Sequence, residues 1–411
     1  MPLVHPLNRV FTPRCPRCRQ CLGSGTVNFL RAHINRACWH TCVVMGLSRF
    51  LLIVAACCAL APLAATRFRP PVTIREIEKS FVAGVITLAI GALAASQTYD
   101  FGVFAYTHLL YLLAVVTVPA LLGGWYVTAF IRRRRTRLVN LGGALAIIIA
   151  LLGVWGTHIE PNWLATEIVA VTAPVDQPLR IGVLADMQTP NIGRHEQNAV
   201  DTLIAEEPDL VLVPGDFFQG SVDAIAAETP AFIELLTLLT ANVNVVAVVS
   251  GDSDRPDELK KIVEAAGALY LDNQITDLTV EGQPIRLAGV SVFAATSRLD
   301  TIASLVEPSD AFTILLSHRP GVVYDLPVGS DVDLIVAGHT HGGQISLPFF
   351  GPPVTFSKVP RTLAAGGLGL VDNYPVYVST GVGLERLQAP QVRLGVRPSI
   401  GIIDVFPASV G

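Results

Sequence analysis

The sequence predicts an α/β domain in its C-terminal half, preceded by a bundle of about four transmembrane helices. The chain has 411 residues, of which 51% are hydrophobic, and its mean hydropathy of +0.52 is high for a soluble protein. Long apolar stretches fill residues 45–157, and from about residue 177 short β-rich runs alternate with helical stretches. The first pattern is typical of membrane spans and the second of an α/β fold.

Four segments are long and apolar enough to cross a bilayer, for which about 20 residues are needed. They span residues 45–65, 80–97, 107–131 and 139–157. Charged residues are sparse inside them, so there is no sign of the buried ion relay that a transporter needs. We interpret residues 45–157 as a multi-pass membrane anchor and residues 158–178 as a linker.

The basic residues between the spans predict the orientation in the cell membrane, because short cytoplasmic loops are enriched in Lys and Arg. They lie in the loops after the first and third spans: Arg67, Arg69, Arg75 and Lys79, then Arg132, Arg133, Arg134, Arg135 and Arg137. If both loops are cytoplasmic, the fourth span delivers the C-terminal domain to the extracytoplasmic side, which we favour. The arginines of residues 1–44 oppose this placement if that segment is translated.

Residues 1–44 form a basic, cysteine-containing tail with more than one interpretation. All seven cysteines lie in the first 58 residues: Cys15, Cys18, Cys21, Cys38, Cys42, Cys57 and Cys58. The first three have the spacing of a zinc or iron–sulfur site, but the usual second Cys-x2-Cys pair is missing. We favour a disordered tail, or a start codon assigned too early, since Met45 directly precedes the first apolar run.

The overall charge excludes one class of partner. The net charge is only -4 and the pI is about 6.1. Nucleic-acid-binding domains carry a concentrated positive charge. We therefore expect no nucleic-acid partner.

The C-terminal domain, residues 179–407, is predicted to alternate strands and helices. The strands lie at 179–185, 210–213, 243–249, 285–290, 312–316, 334–337 and 376–379, and the helices at 196–206, 225–240 and 257–266. In an open α/β sheet, the loops at the carboxyl ends of the strands converge on one crevice. Candidate metal ligands follow five of these strands: Asp186 with Gln188, Asp216, Asp252, His318, and His339 with His341.

The types of these side chains indicate a metal site, although each also has a simpler explanation. Carboxylates and imidazoles suit manganese, iron and zinc ions. Asp216 and Asp252 could be turn residues, and His318 alone could be a core histidine. The segment 338–344, GHTHGGQ, is more specific, because flanking glycines let the backbone turn sharply and bring two imidazoles to one point.

The order of these motifs resembles that of the calcineurin-like metallophosphoesterases, and GHTHGGQ is similar to the bacterial membrane-associated branch of that family. The resemblance covers about residues 179–405. It implies a four-layer sandwich, with two packed sheets flanked by helices, and a hydrolase acting on ester or anhydride bonds of phosphate. It also implies two divalent metal ions (Mn, Fe or Zn) that generate a hydroxide for attack on phosphorus.

Carried over by position, the resemblance assigns ligands to each metal. Asp186, Gln188, Asp216 and His341 would surround one ion, and Asp216, Asp252, His318 and His339 the other, with Asp216 bridging the two. A carboxylate bridge of this kind also offsets part of the charge of both ions.

Three positions depart from the family pattern. Gln188 replaces a histidine, Asp252 replaces an asparagine, and Ser253 replaces the histidine that is thought to stabilise the transition state or protonate the leaving group. His195 could enter the site in compensation, or it is simply an exposed histidine near a helix start. Candidate catalytic residues are Asp216, Asp252, Ser253 and His195. Arg194, Arg255 and Arg319 are candidate phosphate ligands or surface charges.

The sequence therefore predicts metal-dependent hydrolysis of a phosphoester or pyrophosphate bond at a membrane surface. The expected substrate is a phosphorylated small molecule or a phospholipid-linked compound. The alternative is a degenerate domain that binds metal or phosphate as a sensor or scaffold without turnover, which the loss of histidine at Ser253 keeps open. Retention of donor atoms at every other motif position favours the enzyme.

Overall fold

The computed structural model describes residues 28–71, 73–99, 102–293, 296–304 and 308–408. Residues 1–27, including the Cys15–Cys21 motif, lie outside this set. The first helix, α1, begins at Asn28 and continues to Ala65, so the predicted tail is helical from residue 28 onward.

The N-terminal helical region contains α1, α2 (Ile74–Thr98), α3 (Val103–Leu112), α4 (Val118–Ile131) and α5 (Arg137–Val154). A π-helical turn, Leu113–Thr117, joins α3 and α4 into one segment, Val103–Ile131. In the described part of the chain, five helical segments are long and apolar enough to cross a membrane: Gly46–Ala65, Ile74–Gln97, Val103–Ile131, Arg137–Asn162 and Val222–Asn242. The first four correspond to the predicted spans, and the fifth packs within the C-terminal domain.

Contacts between the helices show which helix ends lie at the same end of the bundle. At one end of the bundle, the ring of Phe50 on α1 lies 5.7 Å from that of Tyr99, which follows α2. At the other end, Trp125 Nε1 on α4 donates to Thr66 Oγ1 after α1 at 3.2 Å. The two arginine-rich loops, at residues 66–73 and 132–136, therefore lie at the same end of the bundle.

The C-terminal domain contains twelve strands in the described part of the chain, arranged in two six-stranded sheets. The first sheet has the order β1-β12-β2-β3-β4-β5 and the second β10-β11-β9-β8-β7-β6. The strands are β1 (Ala165–Ala173), β2 (Leu179–Val183), β3 (Leu210–Val213), β4 (Val245–Val248), β5 (Leu269–Tyr270), β6 (Gln274–Val280), β7 (Gln283–Val290), β8 (Phe312–Ser317), β9 (Leu334–Ala337), β10 (Gly367–Val371), β11 (Tyr374–Val378) and β12 (Ser399–Pro407). The helices are α6 (Arg194–Ala205), α7 (Val222–Asn242), α8 (Pro256–Ala265), α9 (Thr296–Ser304) and α10 (Arg361–Ala364).

These elements form four layers, which confirms the predicted sandwich. Apolar side chains of the two sheets meet in the middle, with Ile181 and Leu212 on one sheet and Ile314 and Val336 on the other. Helices α6 to α8 cover the outer face of the first sheet, and α9 and α10 cover that of the second. Every residue of β3, β8 and β9 is buried, as expected for parallel strands covered on both faces.

The predicted linker at 158–178 is wrong in one respect. Residues 165–173 form β1, which pairs in parallel with β12 from Ala165 opposite Ser399 to Ala173 opposite Pro407. This strand lies at the edge of its sheet and is only half-buried, so it lacks the continuous apolar run of the central strands. The prediction of the five strands that precede the candidate metal ligands is confirmed. They are β2, β3, β4, β8 and β9, and their ends differ from the predicted ones by at most a few residues.

Candidate metal centre

Five of the seven predicted metal ligands have a left-handed backbone conformation, which non-glycine residues rarely adopt. The φ angles are 47° at Asp186, 39° at Gln188, 53° at Asp216, 75° at His339 and 48° at His341. Such residues cost about 1–3 kcal/mol each and cluster at functional sites. The sharp turns after the strands aim these side chains into one crevice.

His318 is the central imidazole of the site and is fully buried. Its Nδ1 lies 3.0 Å from the carbonyl oxygen of Pro214, so Nδ1–H donates there and Nε2 is the nitrogen that faces the site. Nε2 lies 3.4 Å from Asp216 Oδ2, 3.6 Å from Asp252 Oδ2 and 3.3 Å from His339 Nδ1. Asp252, His318 and His339 thus offer three ligand atoms within 4.8 Å of one another.

A second group shares His318 and consists of Asp186, Asp216 and His318, all of them buried. The carboxylate of Asp186 accepts the backbone N–H of His339 at 3.0 Å. Asp216 Oδ1 accepts the N–H of Ser253 at 2.7 Å, and its Oδ2 faces His318. Because the two groups share His318, they form two adjoining positions. Asp216 belongs to the second group and lies 3.4 Å from the shared imidazole.

The electrostatics of the site favour a bound cation. Burial raises the pKa of Asp186, because a charged carboxylate is poorly solvated there. Burial alone would lower the pKa of His318, but the negative charge of Asp216 and its neighbours raises it to about 10. Buried carboxylates therefore favour positive charge at this point, which divalent metal ions would supply.

Gln188 and His341 complete the predicted ligand set through two unpaired atoms. Gln188 Oε1 and His341 Nε2 are buried and have no hydrogen-bond partner among the described residues. Unpaired buried polar atoms are rare in folded proteins and call for a ligand. Both atoms belong to the set predicted for the first metal, so the donor set fits that ion. His341 Nδ1 lies 3.2 Å from the buried guanidinium of Arg393, which can only donate. If Nε2 coordinates a metal, the proton of the neutral ring is on Nδ1. The contact with Arg393 must then lengthen.

The site opens into a cavity of about 890 Å³. Its floor includes Asp216, Asp252 and His339, and its walls carry the basic side chains of Arg298, Arg319 and Lys358. Val103 and Phe104, the first residues of α3, also line it. The N-terminal helical region therefore forms part of the wall of the candidate active site.

The comparison with protein families decides the identity of this domain. Residues 179–343 match the family of calcineurin-like phosphoesterases. The chain carries a calcineurin-like phosphoesterase domain. Its reaction class is metal-dependent hydrolysis of phosphoesters, and the family implies a centre of two divalent metal ions, which the donor atoms described above fit.

Curated relatives of the calcineurin-like domain include two bacterial proteins that cover most of their own length. The uncharacterized protein YpbG of Bacillus subtilis is 27% identical over 233 residues, covering 56% of this chain and 81% of that protein. The phosphodiesterase YaeI of Escherichia coli is 26% identical over 266 residues, covering 60% and 90%. Among solved structures, a dimetal phosphatase from Danio rerio is 13% identical, with a TM-score of 0.32, and covers 53% of this chain and 90% of its own.

Two residues that replace the usual ones in the calcineurin-like motifs, Ser253 and Asp252, have hydrogen-bond partners within the protein. Ser253 lines the cavity, but its Oγ donates to the carbonyl oxygen of Phe218 at 3.0 Å. The extra charge of Asp252 is paired with Arg319, whose Nε lies 2.9 Å from Oδ2. Although burial opposes it, hydrogen bonds from His318, His339 and Arg319 hold the pKa of Asp252 well below its usual range.

The prediction that His195 enters the site is wrong, because its side chain lies outside the cavity. His195 Nε2 lies 2.9 Å from the carbonyl oxygen of Val382, and its ring does not line the cavity. Helix α6 starts at Arg194, so His195 faces the loop after β11 instead of the metal ligands. Arg194 and Arg255 likewise lie outside the cavity wall, whereas Arg319 is part of it.

Three residues that surround the calcineurin-like site were not predicted. Glu385 Oε2 lies 3.3 Å from Gln188 Nε2, and burial raises the pKa of Glu385. Asp254 accepts the N–H groups of Phe217 and Gly251 at 2.9 and 2.8 Å, which holds two motif loops together. Glu385 and Arg393 lie in the loop after β11, so the rule that ligands follow strand ends would have found that segment.

Proposed function

We propose that this protein is a membrane-bound hydrolase that cleaves a phosphoester or pyrophosphate bond at the membrane surface with a hydroxide activated by two divalent metal ions. The observation that carries the proposal is the pair of adjoining ligand groups sharing His318, at the floor of a cavity whose wall includes α3. The ions are proposed to be manganese, iron or zinc, which suit carboxylate and imidazole ligands.

The ligands divide between two positions. Asp186, Gln188, Asp216 and His341 would hold one ion; Asp216, Asp252, His318 and His339 would hold the other. When bound, the ions supply positive charge for the phosphoryl oxygens and lower the pKa of a coordinated water.

The protein's own residues orient the reaction. Arg319 and Lys358 on the cavity wall bind and position the remaining phosphoryl oxygens. Hydrolysis adds the hydroxyl of water to phosphorus and leaves the departing oxygen with a proton. Since the Ser253 hydroxyl already donates to Phe218, that proton comes from solvent in the open cavity.

The membrane-surface location is supported by three contacts between the bundle and the domain. Gly102 N, before α3, donates to Gln388 Oε1 at 3.2 Å, and Arg393 N donates to the carbonyl oxygen of Gly156 after α5 at 2.8 Å. Trp155 and Trp163 lie where α5 enters the domain, with ring centroids 5.8 Å apart. Tryptophan at the end of a span is typical of the membrane–water interface.

The same arrangement supports an extracytoplasmic domain in a multi-pass protein. The domain contacts the bundle at the start of α3 and the end of α5, whereas both arginine-rich loops lie at the opposite end. Positive loops are enriched on the cytoplasmic side, so the domain would face away from the cytoplasm.

The test uses the full chain in lipid nanodiscs. After metal removal and reconstitution with manganese, hydrolysis of methyl p-nitrophenyl phosphate is measured for the wild type and for Asp216→Asn. We expect turnover that requires manganese and falls to background in Asp216→Asn. Turnover that persists without metal would contradict the two-metal mechanism.

A second candidate function is a metal- or phosphate-binding sensor without turnover. The replacement of the family histidine by Ser253, with its hydroxyl engaged by Phe218, is the observation that favours it. In the same assay, manganese binding without any hydrolysis would select this alternative.

A further inference from the structure

A second cavity, of about 210 Å³, lies beside the metal centre between the first turns of α3 and residues 353–356. We call it the α3 groove. Phe104, Thr107 and Leu110 form one wall, Val354 and Phe356 form the facing wall, and His339 lies at the inner end. The groove is therefore mostly apolar, and it reaches the metal centre, where Gln344 and Glu385 also line it.

The outer end of the α3 groove lies on a membrane span. Helix α3 belongs to the candidate span Val103–Ile131. Leu110 lies six residues after Phe104, which corresponds to about 9 Å along the helix axis. Its side chain is 65% exposed on the surface of the helix bundle. A chain in this groove would thus run from the metal centre into the bilayer.

Residues 347–356, which we call the apolar loop, continue this surface. Phe349 at its tip is fully exposed, and exposed apolar side chains surround it: Leu347, Phe350, Val354 and Phe356. A contiguous exposed apolar patch of this kind marks a membrane or ligand contact. Phe356 packs against Phe104 of α3 with ring centroids 5.2 Å apart, so the apolar loop lies where α3 enters the membrane.

Basic residues flank the apolar loop. The guanidinium of Arg361 lies 4.3 Å from the ring centroid of Phe350, and Lys358 lines the main cavity. Aromatic and basic side chains together are typical of the zone where phosphate head groups meet the hydrocarbon core. The main cavity is thus basic and the groove beside it apolar, which matches an amphiphile with a phosphate close to a hydrocarbon chain.

We propose that the α3 groove binds the hydrocarbon chain of a phosphate-bearing membrane lipid while its phosphoester lies at the metal centre. The apolar loop inserts into the bilayer beside the groove and lets the lipid enter laterally. This inference rests on the proposed hydrolase function, and it names the substrate class: a lipid whose phosphate is attached near its chain.

The first experiment compares chain lengths with the full protein in nanodiscs containing manganese. The substrates are methyl and octyl p-nitrophenyl phosphate, and the readout is the ratio of their kcat/KM values. Thr107→Trp fills the groove from α3. The matched control is Thr87→Trp, since Thr87 also bonds a carbonyl of its own helix, α2, but lies away from the groove.

We expect the octyl-to-methyl ratio to fall at least about tenfold in Thr107→Trp, since each methylene excluded from an apolar site costs about fourfold. The ratio should not change in Thr87→Trp. Partition of the octyl chain into the bilayer is the same for all variants and cancels in this comparison. Val354→Trp, on the exposed facing wall, provides a second blocked groove if Thr107→Trp fails to fold.

An octyl-to-methyl ratio that is equal in all variants would overturn the assignment of the groove, but it would not contradict the proposed hydrolase function. Loss of metal-dependent turnover with both substrates in the wild type would instead refute the proposed function. The groove is then judged by photolabelling with an octyl phosphonate that carries a diazirine in its chain.

The label is expected on peptides containing residues 103–112 and 353–356, and an excess of octyl phosphonate should displace it while octanol should not. Equal displacement by octanol would show that an ordinary bilayer lipid rests there, and labelling elsewhere would show that the groove is empty of substrate chains. Either result would overturn the proposal.

Discussion

Glu385 brings a carboxylate to the side of the metal centre where Gln188 replaces the family histidine. Its two oxygens lie 3.3 Å from Gln188 Nε2 and 3.0 Å from Gln219 Nε2. It holds the Gln188 amide so that Oε1 is left for a metal, and it adds negative charge beside a neutral ligand. We expect Glu385→Gln to weaken binding of one of two manganese ions by about 10–100-fold, the usual cost of losing such a supporting group.

Isothermal titration of the metal-free protein with manganese measures this change. Glu258→Gln is the matched control, because Glu258 is also held by a side chain, Arg255, but lies outside the cavity. Equal manganese affinities in wild type and Glu385→Gln would show that Glu385 does not support the centre.

Ser253 offers a gain-of-function test at the residue scale. Ser253→His should restore a proton donor beside the cavity and raise kcat for a methyl phosphodiester with an alkyl leaving group by at least about tenfold. Esters of p-nitrophenol should gain little, because that leaving group departs as a stable anion. Ser253→Asn is the polar control without a titrating proton, and a similar rise in Ser253→Asn would contradict the explanation.

The ligands could be predicted because each follows an apolar strand, and their side-chain types name the chemistry. The surroundings of those ligands could not. Glu385 and Arg393 reach the site only because the loop after β11 folds back over it, with Arg393 donating to the carbonyl oxygens of His341 and Gly383. His195 has a suitable side chain but its helix turns it toward Val382. Tertiary packing determines whether such side chains reach the site, and the spacing of residues along the chain does not reveal that packing.

At the scale of elements, a hydrogen bond joins β1, the edge strand of the first sheet, to β11, which lies next to the edge strand of the second. Tyr377 on β11 donates to Glu167 on β1 at 3.0 Å. Burial raises the pKa of Glu167 above its value in the unfolded chain, although the hydrogen bond from Tyr377 opposes the shift. The folded state thus favours the protonated carboxyl, so its stabilising contribution is complete below the unfolded pKa and is lost as pH rises through the folded pKa.

Glu167→Gln keeps an oxygen that accepts the hydrogen bond from Tyr377, and it removes the loss of stability at high pH because the amide does not ionise. We expect its Tm to exceed that of the wild type at about pH 8 and the difference to disappear toward about pH 4. Thermal unfolding of the full protein in detergent measures it, with the exposed Glu281→Gln as control. A Tm difference that is the same at both pH values would rule out titration of Glu167 as the cause.

The central strands were predictable for the same reason that they are stable. Parallel strands buried on both faces form continuous apolar runs, as in β3 and β9. The edge strand β1 has Thr166, Glu167 and Thr172 among its residues, and its partner β12 lies more than half the chain away. A local pattern cannot reveal such a pairing, and for this reason residues 158–178 were assigned to a linker.

At the scale of the whole molecule, the bundle and the domain share a surface. Phe104 of α3 packs on Phe356 and lines the candidate active site, while His108 Nδ1 lies 3.2 Å from the carbonyl oxygen of Gln388. The sequence predicted an anchor and a domain in series. It did not predict that a span would contribute to the wall of the site, because that contact depends on how the bundle packs against the loops after β9 and β11.

The topology that follows from this arrangement can be tested with single cysteines. The native cysteines all lie in the first 58 residues, so their replacement by serine leaves the domain untouched. In that background, Val328→Cys places a thiol at a fully exposed site of the domain, and Arg134→Cys places one in the loop between α4 and α5. If the arginine-rich loops are cytoplasmic, a membrane-impermeant maleimide should label Val328→Cys in intact cells and Arg134→Cys only after permeabilisation. The reverse pattern would place the domain in the cytoplasm and show that the basic residues of the first 44 positions, not the loops, set the orientation.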